Sequence, residues 1–141
     1  MTKKHGSAKW QGGLKDGTGH VSTESGVLDD QPYGFNTRFE GKKGTNPEEL
    51  VGAAHASCFS MALSMILEDY DLKADSIETK ATVTLEEKDG GFSVTASHLE
   101  VEASIANASQ EQFNEAATTA KENCPISKLL TAEITMDAKL V

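Results

Sequence analysis

Thr45-Asn46-Pro47-Glu48-Glu49-Leu50 leads into the longest apolar run of the chain, Leu50 to Leu67, and that junction decides how the rest is read. Asn46 offers a side-chain oxygen as a cap. Pro47 suits the first helical position, where its missing N–H costs nothing, and Glu49 stands three residues after the cap, as a capping box requires. A helix is expected from here to about Tyr70. Leu50, Val51, Ala54, Cys58, Phe59 and Met61 begin an apolar series that covers most of the circumference, the pattern of a helix buried on nearly all sides. A chain of 141 residues has little material to surround a helix of ~24 residues, ~36 Å long at 1.5 Å per residue. Burial by a second copy is the natural remedy.

On the N-terminal side, residues 1–45 are rich in Gly, Thr and Ser. Short strands are expected at Ala8–Gln11 and Gly19–Thr23, then a turn-laden piece from Leu28 to Gly34 and a strand at Phe35–Phe39. The Gly12-Gly13 and Gly17-Thr18-Gly19 clusters read as hairpin turns. On the C-terminal side the apolar period changes to two at Ile77, Ala81, Val83 and Leu85, and Asp89-Gly90-Gly91 reverses the chain into Phe92, Val94 and Ala96. The phase then slips to Leu99, Val101, Ala103 and Ile105, which places a bulge near Ser97–His98. Ser109 with Gln112 opens another capped helix reaching about Asn123, and Pro125 stops it while permitting a short turn at Ile126–Leu130. Ile134, Met136, Ala138 and Leu140 alternate as a last strand. The order is strands, long helix, hairpin, helix, strand: an α+β fold with a mostly antiparallel sheet, read as one domain over residues 1–141 in the absence of a linker, repeat or low-complexity stretch.

The net charge of −9 is uneven: residues 1–43 carry seven Lys or Arg against five Asp or Glu, and the remainder six against seventeen. Nucleic acid is not an expected partner, because polyphosphate binding needs a concentrated basic face. His55, Ser57, Ser60 and Ser64 interrupt the apolar run, so no membrane span is expected. The Lys3-Lys4 pair has no apolar stretch behind it, so no secretory leader is expected and the reading is cytoplasmic.

In that compartment two cysteines point to redox or nucleophilic chemistry more than to a structural staple. Cys58 lies inside the apolar helix, where a thiol is inert unless a fixed positive charge ionises it. Cys124 precedes Pro125 at a junction of helices, where free N–H groups favour a thiolate. The two form a dithiol/disulfide couple if their Cα atoms come within ~7 Å; otherwise they are unrelated buried cysteines. Arg38 is the only arginine. It stays charged at any working pH and can grip a carboxylate while presenting other N–H groups elsewhere, although standing alone it reads more readily as a surface residue. With Glu49 given to the cap, Glu48 is the free carboxylate. Glu48 stands ten residues before Cys58, ~15 Å along a straight helix, so it reaches a thiol only if the chain folds back or the thiol belongs to a partner. His55, three residues before Cys58, permits a Cys–His acyl-transfer reading, but with no third group to orient it a satisfied interior histidine is the plainer account. His5, His20 and His98 form no ligand cluster with the cysteines, and no metal or cofactor is expected.

Tyr33-Gly34-Phe35-Asn36-Thr37-Arg38-Phe39, Asn46-Pro47-Glu48, Ala53-Ala54-His55-Ala56-Ser57-Cys58-Phe59 and Cys124-Pro125-Ile126-Ser127 closely resemble the OsmC/Ohr family of organic hydroperoxide peroxidases, and the likeness spans almost the whole chain. The resemblance implies sheets wrapped around long central helices in an intertwined homodimer with its site at the subunit interface. It implies that Cys58 is the peroxidatic cysteine and Cys124 the resolving one, joined as a disulfide during turnover, with Arg38 and Glu48 activating the thiolate. It also implies an organic hydroperoxide substrate and an external dithiol reductant of the dihydrolipoyl type. The competing reading from another class is a non-catalytic stress protein that binds lipophilic ligands at the dimer seam.

Overall fold

Three short strands open the chain: β1 (Gly6–Gln11), β2 (Thr18–Thr23) and β3 (Gln31–Tyr33), paired antiparallel in that order. At the centre of this sheet Gly19 faces Trp10 on one side and Tyr33 on the other, and a Cβ there would lie 2.6 Å from Trp10 and 2.7 Å from Tyr33. Only glycine lets the two rings close to a centroid separation of 5.7 Å.

Helix α1 (Phe35–Phe39) follows where a strand was expected. The pattern Phe35-Asn36-Thr37-Arg38-Phe39 alternates like a strand, yet its two phenylalanines are also four residues apart, and their rings meet on one helical face at 4.9 Å. Thr37 decides between the two. Its hydroxyl accepts from the Gly34 N–H at 2.9 Å and donates to the Gly34 carbonyl at 3.0 Å, closing the first turn.

Helix α2 (Pro47–Glu68) starts at the expected cap, with Asn46 Oδ1 accepting the Glu49 N–H at 2.8 Å. The computed structural model describes all 141 residues and divides within this helix into two compact units, Met1–Leu50 and Val51–Val141. In the single chain α2 buries one stripe, Gly52, His55, Phe59, Leu63 and Leu67, while Met61 and Met65 on the other side are 75% and 64% exposed. By length and composition alone α2 is apolar enough to cross a bilayer, against the expectation drawn from its interrupting polar residues. Those residues are nevertheless partnered as in a core helix: Ser60 Oγ bonds Thr79 Oγ1 at 2.8 Å, and His55 is bonded at both ring nitrogens.

The second unit's sheet runs β4 (Ala74–Lys88), β5 (Gly91–Ile105), β6 (Glu133–Leu140). Asp89 and Gly90, at φ 51° and 80°, make the turn between β4 and β5. The register slips where Thr84 pairs Ala96 and Leu85 pairs Val94, so the extra residue is Thr95 and not the expected Ser97–His98. Ala96 is small enough to tolerate either face, which blurs the position of the slip in the sequence. β6 pairs β5 in parallel, the one parallel pairing of the four strand pairings. Helices α3 (Gln110–Asn123) and α4 (Pro125–Leu129) connect the two strands, as a parallel crossover requires. The capping box of α3 is complete, Ser109 Oγ accepting from Gln112 N and Gln112 Oε1 from Ser109 N, both at 3.1 Å. Phe59, Leu63 and Leu67 of α2, Leu99, Val101 and Ala103 of β5 and Phe113, Ala116 and Ala120 of α3 form one apolar core.

Candidate active site

Each pair of expected site residues is brought together within its own unit. In the first unit, Arg38 stands in the last turn of α1 and Glu48 in the first turn of α2. Arg38 Nε donates to Glu48 Oε1 at 3.0 Å and Oε2 at 3.1 Å, and Nη2 donates to Oε1 at 2.6 Å. The Asn46 amide donates to the Thr37 carbonyl at 3.4 Å, tying the intervening loop back onto α1. The guanidinium carbon lies 5.4 Å from the centroid of the Phe39 ring. Arg38, Phe39, Phe35, Tyr33, Trp10 and Leu14 line a cleft of about 190 Å³ with mostly apolar walls.

In the second unit, Cys58 on α2 is half-buried, whereas Cys124, closing α3 and capping α4, is fully buried; both are free. The two thiols lie close enough to perturb each other's ionisation. Burial pushes the Cys58 thiol up, the Ile126 N–H draws it back, and the neighbouring Cys124 pushes it up again, leaving it above its ordinary value. Burial also pushes Cys124 up. The Ser127 hydroxyl and N–H, Cys58 and the Ile126 N–H outweigh it and hold Cys124 below the ordinary thiol value. The free N–H groups of the α4 terminus thus favour a thiolate on Cys124, as the helix junction suggested. Within this unit no positive charge does the same for Cys58.

His55 is fully buried and bonded on both sides, Nδ1 2.7 Å from Ser97 Oγ and Nε2 2.8 Å from Ser127 Oγ. Burial lowers its pKa, so the ring is neutral. With both nitrogens engaged, His55 has no lone pair for Cys58, and a Cys–His acyl-transfer site loses its base. Neither Ser127 nor Ser97 stands out as a site residue in the sequence. Ser127 has a legible signal, standing three residues after Cys124 where a helix cap meets its third N–H; Ser97 lies 42 positions from His55 and has none.

The model of the OsmC-like protein family matches residues 40–139. Peroxiredoxin OsmC of Escherichia coli is 53% identical over 137 residues, covering 97% of this chain and 96% of that protein. The chain belongs to the OsmC family. Among more distant relatives, organic hydroperoxide resistance protein OhrB of Bacillus subtilis is 33% identical over 123 residues, covering 86% of this chain and 87% of its own length. The crystal structure of that OhrB aligns with a TM-score of 0.68 at 29% identity, over 97% of this chain and 98% of the other. The α+β architecture is therefore that of the OsmC family, and α2, α3, α4, both cysteines and all of the β4–β6 sheet but Leu140 fall within the matched segment.

Proposed function

We propose that this protein is a cysteine-based peroxidase that reduces organic hydroperoxides to alcohols in oxidative and osmotic stress defence, acting as one OsmC-like domain in a cytoplasmic homodimer. The observation that carries the reading is the Cys58–Cys124 pair, two free thiols close enough to perturb each other's ionisation, with the outer one half-buried. The names of the E. coli and B. subtilis relatives, a peroxiredoxin and an organic hydroperoxide resistance protein, support it.

Cys58, the more accessible thiol, attacks the outer peroxide oxygen. The O–O bond breaks, the alcohol departs with a proton, and Cys58 becomes a sulfenic acid. Cys124 then attacks the Cys58 sulfur; the S–O bond breaks, water leaves and a disulfide forms. An external dithiol of the dihydrolipoyl type reopens it by exchange. Cys58 needs a positive charge that its own unit does not supply, and the Arg38–Glu48 pair is the group suited to provide one. In this reading the exposed face of α2 packs in the homodimer and brings the pair of one copy to the thiol of the other. The aromatic cleft beside Arg38 receives the organic group of the peroxide, each buried CH₂ favouring an alkyl hydroperoxide over hydrogen peroxide by about 0.8 kcal/mol.

The test mixes reduced protein with cumene hydroperoxide, tert-butyl hydroperoxide or hydrogen peroxide and follows thiol loss and the Cys58–Cys124 disulfide by mass. Cys58→Ser is expected to abolish consumption; Cys124→Ser is expected to keep one turnover and then stop. Retention of both thiols under excess organic hydroperoxide, or a lipophilic ligand bound equally well without either thiol, overturns the reading in favour of a binding protein.

A further inference from the structure

Behind the buried thiol lies a chain of polar groups that the peroxide chemistry does not use. Ser127 Oγ lies 3.4 Å from Cys124 Sγ, as does the Ser127 N–H nitrogen. Ser127 Oγ lies 2.8 Å from His55 Nε2, and His55 Nδ1 lies 2.7 Å from Ser97 Oγ. His55 and Cys124 are both fully buried. A neutral imidazole has one donor and one acceptor, and a hydroxyl has one proton, so the directions along this chain are linked. If Ser127 gives its proton to Cys124, its oxygen accepts from His55 Nε2–H; Nδ1 is then bare, and the Ser97 hydroxyl donates to it. In the reverse setting Ser127 donates to His55, and only a protonated Cys124 can complete the chain by donating to Ser127. The reverse setting therefore requires a protonated Cys124, whereas the first is the one that accommodates its thiolate.

We propose that His55 and Ser127 form a positioning relay that holds Cys124 as a hydrogen-bond acceptor for the step in which its sulfur attacks the Cys58 sulfenic acid. The relay's place in turnover rests on the peroxidase reading; its effect on Cys124 does not. In the step, Cys124 sulfur supplies the electron pair of the new S–S bond and is oxidised. The Cys58 S–O bond breaks, and the departing hydroxide takes up the proton that Cys124 had released. Cys58 on α2 is the titratable group acting directly on Cys124; Ser127 and the Ile126 N–H on α4 are its other polar neighbours, with His55 of α2 and Ser97 of β5 behind Ser127.

The first measurement is peroxide-free: ultraviolet thiolate absorbance of Cys124 against pH in a Cys58→Ser protein. Adding Ser127→Ala is expected to raise the midpoint by about one pH unit, as loss of a hydrogen bond to a charged group implies. His55→Leu, which frees the Ser127 hydroxyl to rotate, is expected to raise it as well. His55→Gln, whose amide can donate to Ser127 and accept from Ser97, is expected to recover most of that rise, which a merely space-filling role would not. An unchanged midpoint in Ser127→Ala overturns the relay whether or not His55→Leu folds. With both cysteines present, Ser127→Ala is expected to form the dimedone-trappable Cys58 sulfenic acid as fast as the parent. It should close the disulfide about threefold more slowly at neutral pH, the tenfold loss of thiolate being partly offset by its greater nucleophilicity. Equal closure rates overturn the role in turnover. A parent that forms no sulfenic acid sinks the peroxidase reading, while the absorbance titration still decides the relay.

Discussion

Arg38 grips Glu48 through both carboxylate oxygens, with Nη2 to Oε1 the shortest of the three contacts at 2.6 Å. The ten-residue separation is bridged by a loop that Asn46 ties back onto the Thr37 carbonyl of α1. Fork geometry of this kind fixes the plane of the guanidinium and so the direction of its remaining N–H groups.

Glu48→Gln should therefore cost activity more than stability. The Arg38 and Glu48 side chains are 35% and 14% exposed, so solvent screening limits the pair to about 1 kcal/mol of stability or less. A loss of roughly tenfold or more in kcat/KM for cumene hydroperoxide, with Tm nearly unchanged, is the expected outcome. Peroxidase kinetics beside a thermal melt check it, and unchanged kinetics would separate the pair from the chemistry.

Acid should weaken the fold through His55. Burial lowers its folded-state pKa, whereas the unfolded ring titrates near 6.5. The unfolded state thus binds a proton first as pH falls, so stability is full above about 6.5 and declines as pH drops toward and through the folded value. Urea melts between neutral pH and about pH 5 should show this slope in the parent and a reduced one in His55→Gln; parallel slopes would mean that other groups carry the effect.

Gly52→Ala sets helix propensity against packing. Alanine favours a helix by about 1 kcal/mol over glycine. A Cβ here would lie 3.0 Å from the Ala81 carbonyl oxygen of β4 and 3.7 Å from Val83 Cγ2, and overpacking costs typically 1–3 kcal/mol. Backbone cannot swing aside as a flexible side chain can, so packing should win, with a net loss of about 1 kcal/mol in denaturant titration. A stabilised variant would mean that α2 shifts freely on β4.

Met61 and Met65 stand exposed on the same helix whose opposite side is core. If a second copy covers them, light scattering should give the parent twice the mass of one chain, and Met65→Glu should shift it toward monomer with loss of peroxidase activity. A monomeric parent that is fully active would remove the composite site.

Much of the fold was legible because its signals are local. Asn46 and Pro47 start α2, Ser109 and Gln112 start α3, and Asp89-Gly90 turns the hairpin, each through neighbours within a few residues. Where competing periods share five residues, as from Phe35 to Phe39, the sequence pattern favours the wrong element; Thr37 hydroxyl geometry settles it only once the chain has turned. The parallel pairing of β6 was equally hidden, since alternation in Ile134, Met136 and Ala138 is the same in either direction.

By itself the sequence determined the starts of α2 and α3, the β4–β5 hairpin and the α+β class, because caps and turn residues act over one or two helical turns. The tertiary structure alone decided which thiol is buried and held by Ser127, and that His55 serves Ser97 and Ser127 rather than Cys58. Those outcomes depend on burial and on bonds between residues as far as 72 positions apart, and no local pattern encodes the distance at which two such groups come to rest.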